Sequence, residues 1–235
     1  MDNYNQSQSM ASSTSKVAFF MQQVYLWMCA ALVVTAFMAY FTVNNLFMLQ
    51  LIYSHGNFGP LLLIVAIIGL VMYLSSQMHN LSAGKATALY LIYAALNGIL
   101  LAPILLVYTG ASIAQTFLIS AGMFGGMSVY GMVTKKDLTG WGSFLIMGLW
   151  GLILASIVNL FFNNGVANFV ISIVGVIVFV GLTAYDTQKI KEMGETAPIE
   201  DSVAIRRGAL LGAITLYLDF INIFLYMLRL FGDRK

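Results

Sequence analysis

The chain has 235 residues, of which 60% are hydrophobic and only 9% charged, against roughly 25% charged in ordinary globular proteins. Eleven Lys and Arg and nine Asp and Glu are too few to coat a water-soluble fold of this size, and a net charge of +2 offers no basic patch to nucleic acid. Cys29 is the single cysteine, which excludes an intrachain disulfide or a cysteine-based metal site; it reads as a small buried apolar residue.

Taken in order, residues 1–20 are rich in Ser, Gln and Asn and predict a polar, disordered tail. No short apolar core with a cleavage site precedes the first span, so that span is expected to stay in the protein. Residues 21–235 read as one all-α domain that crosses a bilayer seven times. A span needs about 20 mostly apolar residues, and candidates lie at 24–43, 59–74, 87–108, 111–133, 141–162, 167–185 and 208–230. Lys16 precedes the first span, and Lys85, Lys135, Lys136, Lys189, Lys191, Arg206 and Arg207 fall in alternate connections. By the positive-inside rule the amino terminus and those connections are cytoplasmic. The alternation breaks at the end, because a seventh crossing puts Arg229, Arg234 and Lys235 outside. A full crossing is favoured over a re-entrant hairpin.

Small residues at helical spacing, Gly122 with Gly126, Gly208 with Gly212, and Gly148 with Gly151 and Ala155, predict close helix approaches. Asn97, Pro103, Ser156 and Asn159 add polar or helix-disturbing positions, and the two asparagines read as ties between helices.

Two acidic residues fall within a span or at its edge: Asp219, and Asp186 at the cytoplasmic end of the sixth. A carboxylate near the centre of a membrane helix costs on the order of 2.5–3.5 kcal/mol, so neither is expected to face lipid. Asp219 shares its helical face with Gly208, Gly212, Thr215, Asn222 and Tyr226, and Asp186 with Ser172, Gly175, Phe179 and Thr183. Thr183, Thr215 and Asn222 are the expected polar support. If the carboxyls meet, they share a proton and titrate in two separated steps. The singly protonated pair then holds its helices together, and loss of the second proton drives them apart. A doubly ionised pair also presents oxygen ligands to calcium in passing. With the spans as drawn Asp219 lies deeper than Asp186, so pairing requires one of the two helices to be longer than its apolar run.

At these residues the sequence resembles the Bax inhibitor-1 family (transmembrane Bax inhibitor motif, or Lifeguard, proteins), and most closely its bacterial YbhL and YccA branch. The segments concerned are Thr183-Ala184-Tyr185-Asp186-Thr187-Gln188-Lys189-Ile190-Lys191, Leu216-Tyr217-Leu218-Asp219-Phe220-Ile221-Asn222-Ile223-Phe224, Thr134-Lys135-Lys136-Asp137-Leu138 and Asn159-Leu160-Phe161-Phe162. The resemblance implies seven helices with the last wrapped by the other six. It also implies a pH-sensitive calcium leak in which Asp186 and Asp219 are proton sensor and gate. One departure stands out. Bacterial relatives carry an arginine near the cytoplasmic end of helix two that pairs with the dyad, and a glutamate earlier in that helix. Here the stretch reads Gln77-Met78-His79-Asn80 and helix two has no acidic residue, so a latch built on those groups is not expected; a protonated His79 is the candidate substitute, against the favoured reading of an exposed interfacial histidine.

Two other classes compete. Aspartates on consecutive membrane helices also build intramembrane proteases, but Asp219 follows Leu216-Tyr217-Leu218 where such an enzyme needs Gly-x-Gly, and no enzymatic role is expected. His55 and His79, the only histidines, make no zinc site. The remaining class is a regulator of another membrane protein, contacted through the polar tail or the acidic loop 192–203. The expected surroundings are the lipid bilayer, calcium and protons, with no tightly bound cofactor and no nucleic acid. The motif spellings favour a bacterial inner membrane.

Overall fold

The computed structural model describes residues 2–54, 56, 58–162, 164–198 and 201–235, with side chains from residue 15 onward. Eight α-helices follow one another: α1 (Asp2–Asn44), α2 (Leu46–Tyr53), α3 (Phe58–Gln77), α4 (Ala83–Val107), α5 (Gly110–Val133), α6 (Thr139–Phe162), α7 (Gly165–Thr196) and α8 (Ser202–Phe231). All but α2 are long and apolar enough to cross a membrane. The chain is therefore an all-α, seven-span integral membrane protein, and among the described residues no strand occurs.

Short polar side chains start the helices. Asn45 accepts from the Met48 N–H, Thr109 from Ser112 and Asp137 from Thr139. Asn164 accepts from Val166 and Ala167, and Asp201 from Val203 and Ala204. Each satisfies N–H groups that a helix start leaves open. Gly56, with φ +63, supplies the left-handed turn between α2 and α3.

Three boundaries differ from the sequence expectation. Helix α1 begins at Asp2, upstream of the apolar run and within the stretch expected to be a tail. No Gly or Pro interrupts residues 1–44, and prolonging a helix needs no new nucleus. Helix α2 occupies part of what reads as a connection, and the Tyr53 hydroxyl at its end donates to the Ile99 carbonyl of α4 at 2.8 Å. Helix α7 runs on to Thr196, so Glu192 and Glu195 ride on it and the acidic loop shrinks to a few residues. His55, Asn163 and Glu200 lie outside the described residues.

Helix α8 is the most enclosed span, with 67% of its apolar window buried against 11–33% in the others. The packing divides into two units: residues 1–106 with 190–214, and 107–189 with 215–235. In the first, Gly208 and Gly212 meet Phe20, Val24 and Ile190, the close approach their spacing predicts. In the second, Phe220 of α8 stacks edge-on with Phe117 and Phe124 of α5 at 5.2 and 5.7 Å. Gly148 meets Val178, but Gly122, Gly126 and Gly151 face open space and Ala155 is exposed, contrary to expectation. Spacing reveals a smooth face without saying whether a partner covers it. Cys29 is likewise exposed rather than buried: it lies just off the α1 face formed by Met21, Val24 and Met28. A small thiol facing lipid costs little.

The last residues decide between crossing and re-entry. Helix α8 is 30 residues long without a break, about 45 Å at 1.5 Å per residue, ample for a hydrocarbon core of roughly 30 Å. Beyond it, Asp233 and Lys235 pair with the α4–α5 turn, through Thr109 N to Asp233 O at 3.0 Å and Lys235 N to Val107 O at 2.9 Å. This is the end of α5 opposite Lys135 and Lys136. The Arg234 guanidinium sits 6.0 Å from the Tyr108 ring and Arg229 lies 5.6 Å from the ring of Tyr226. Aromatic faces thus receive two of the three charges that depart from the positive-inside pattern.

Candidate functional site

The segment from Thr183 to Lys189 lies two-thirds of the way along α7, and its consecutive side chains point to different neighbours. Thr183, fully buried, donates to the Phe179 carbonyl of its own helix at 2.8 Å. The Ala184 carbonyl abuts Gly131 of α5 so closely that a Cβ there would collide with it. Tyr185 lays its ring against Gly142 of α6 and receives the Lys189 ammonium 5.9 Å from its centroid. The Thr187 hydroxyl pairs with that of Ser128 at 3.0 Å. Gln188 clips the α5–α6 connection from both ends of its amide: the oxygen accepts from Leu138 N and the nitrogen donates to the Lys136 carbonyl, both at 2.8 Å.

Asp186 completes the turn. Its carboxyl lies against that of Asp219 on α8, within reach of a hydrogen bond between the two. Such a bond needs a proton on one partner, since two carboxylates only accept. Asp219 is buried at 4% exposure, and its Oδ2 has no hydrogen-bond partner. Lys189, one turn along α7, is the cation whose charge acts on Asp186. The depth mismatch in the sequence reading disappears because α7 continues for ten residues past Asp186.

A second contact fixes the register of the two helices. Tyr226 packs its ring against Gly175, where a Cβ would come within 2.6 Å, and lies 5.9 Å from the Phe179 ring. Phe179 and Tyr226 are each seven residues from the aspartate on their own helix, two turns or about 10 Å. Antiparallel α7 and α8 are thus pinned at two levels. Of the expected supports, Asn222 donates to the Leu218 carbonyl of its own helix, and Thr183 is likewise turned onto its own backbone. Thr215 is half-buried on α8. His79 is exposed on a 3-10 turn of the first unit, after α3.

Gln188, Thr187, Ser128, Tyr185 and the close-contact glycines Gly131 and Gly142 were not singled out from the sequence. The available signal was the unbroken polar run Tyr-Asp-Thr-Gln-Lys: on a helix, five consecutive positions cover every direction, so each must meet something. Among the described residues no group of three or more His, Cys, Asp or Glu gathers. Two carboxyls alone fall far short of the six to eight oxygens of a resident calcium site.

Comparison with known proteins places this geometry in a family. A family model described as "Inhibitor of apoptosis-promoting Bax1" matches residues 17–235. The chain is 46% identical over 235 residues to the inner membrane protein YbhL of Escherichia coli, covering all of both chains. It is 46% identical over 218 residues to a protein of Borreliella burgdorferi, 92% of each, and 42% identical over 216 residues to one of Rickettsia prowazekii, 92% of this chain and 90% of that one. The seven-span chain with its paired aspartates belongs to the Bax inhibitor-1 family.

Proposed function

We propose that the protein is a pH-sensitive calcium-leak channel of the Bax inhibitor-1 type, residing in a bacterial inner membrane with its amino terminus cytoplasmic, and gated by Asp186 and Asp219. The observation that carries the reading is the close, buried approach of the two carboxyls. While one proton is shared, the bond ties α7 to α8. Once it is lost, two like charges face one another; for scale, a pair about 4 Å apart repels by about 4 kcal/mol at an effective dielectric of 20. A typical interhelical hydrogen bond contributes only about 0.6 kcal/mol, and the Ser128–Thr187 bond joins α7 to α5 rather than to α8, so it does not oppose that repulsion. Permeation therefore rises as the shared proton leaves, and the unpartnered Asp219 Oδ2 becomes an oxygen for calcium in transit.

The test is calcium flux into vesicles containing only the purified protein, measured across a pH series. Flux that climbs with pH supports the reading; a parent protein that passes no calcium at any pH ends it. The family description names inhibition of another protein, which favours a second reading, a regulator without intrinsic transport. A regulator fails the vesicle test alone and needs its partner present.

A further inference from the structure

A cavity of about 420 Å³ lies in the second unit beside the α6–α7 turn and the end of α8, lined in part by Ser156, Asn159, Asn168, Tyr226 and Arg229. Its hydrogen-bonding polarity follows from a chain of constraints. The Asn164 backbone N–H can only donate, and it donates to Asn159 Oδ1 at 3.1 Å. That fixes the Asn159 amide, whose Nδ2 then donates to Asn168 Oδ1 at 2.8 Å. Asn168 is left with its own Nδ2, a donor. Arg229 offers only donors, and its guanidinium is backed by the Tyr226 ring 5.6 Å away. The Tyr226 side chain lies close to Ser156. Among the described residues that line the cavity there is no Asp or Glu. Donors around a permanent cation with no carboxylate to neutralise it select an anion.

The surroundings narrow the anion. The α6 wall continues through Ile153, Ile157 and Leu160, which are 40%, 49% and 80% exposed and on a spanning helix face acyl chains. Arg229 is two residues from the end of α8, at headgroup depth. We infer that this cavity is a phosphate-binding subsite whose ligand is the phosphodiester of a phospholipid headgroup. Arg229 holds the phosphate oxygens in fork geometry, Asn168 donates a further bond, and Ile157 and Leu160 flank the chains. The site uses none of the residues of the aspartate pair and stands whatever the protein conducts.

The full chain in detergent is titrated with phosphatidylglycerol and retained lipid is read by native mass spectrometry. In a second arm, inorganic phosphate is added without lipid and thermal unfolding is followed. The parent retains lipid, and R229Q and N168D each weaken retention about tenfold or more, the scale of losing a charge-assisted hydrogen bond. Ile157→Trp, which crowds the mouth without touching a polar group, weakens it too and serves if a polar variant fails to fold. Lipid retention with no response to phosphate assigns the lipid headgroup. A phosphate-dependent rise in Tm that R229Q abolishes assigns free phosphate to the same subsite. Equal retention by parent and variants, or a loss confined to R229Q as for an arginine that merely snorkels to the interface, overturns the inference.

Discussion

The two packing units use polar side chains differently. In the first, hydroxyls bond to backbone carbonyls of neighbouring helices: Thr35 to Ala94 at 2.9 Å, Tyr90 to Trp27 at 2.9 Å and Tyr53 to Ile99 at 2.8 Å. Asn97, expected to tie helices, instead donates to the Tyr93 carbonyl of its own helix. In the second, Gln188 also clips backbone, but side chains bond to side chains between helices as well, Ser128 with Thr187 and Asn159 with Asn168, and Asp186 lies against Asp219. A backbone carbonyl accepts at every physiological pH, so the first pattern is fixed glue. A pair of side chains changes when one member loses a proton or rotates. The lesson is that a switch is to be sought where partners are side chains and titratable, and the second unit holds the one such pair of carboxyls among the described residues.

The sharpest way to break this contrast is Asp186→Asn or Asp219→Asn. Either removes the repulsion, so calcium permeation in vesicles loses its rise with pH. If both variants respond to pH like the parent, the pair is not the sensor. Next in size is Gly131→Ala, whose Cβ would strike the Ala184 carbonyl. Overpacking of this kind costs about 1–3 kcal/mol, read as a lower midpoint of denaturation in detergent, with the α7 segment displaced from α5. Smaller still is Tyr90→Phe in the first unit, which loses one bond to a backbone carbonyl. A cost of about 0.6 kcal/mol is expected, with the pH profile of flux unmoved; a displaced profile would dissolve the contrast between the units.

Asp137 gives the smallest effect and the cleanest control. It lies outside the spans, where the Thr139 hydroxyl and backbone N–H hold its carboxyl below the usual carboxylate range. A depressed carboxylate contributes stability above its unfolded pKa of about 3.9 and loses it as pH falls through the folded value. Between pH 5 and 8 that contribution is constant. Asp137→Asn therefore leaves the pH dependence of flux in that range unchanged, and a shift there would implicate the α5–α6 connection in sensing.

Much of the fold was legible in one dimension because a bilayer imposes its rule residue by residue: runs long enough to span must be apolar, and the seven that are became seven helices. Asp186 and Asp219 stood out for the same reason, as charges where charge is costly. Boundaries were less legible. Polar Thr187, Gln188 and Glu192 look like the end of a span, yet α7 continues because helix propensity does not stop where hydrophobicity does. Gly122 and Gly131 are alike in sequence, and only Gly131 has a helix against it.

The sequence by itself determined the medium, the number of spans and the two carboxyls that cannot face lipid, since each follows from transfer free energy along the chain. Tertiary structure alone decided that those carboxyls meet, that Gln188 clips the neighbouring connection, that Arg229 and Asn168 line one cavity, and that the chain end docks on the α4–α5 turn. These are matters of which helix faces which, and the lipid-facing and protein-facing sides of an apolar helix are too alike in composition to be told apart before they pack.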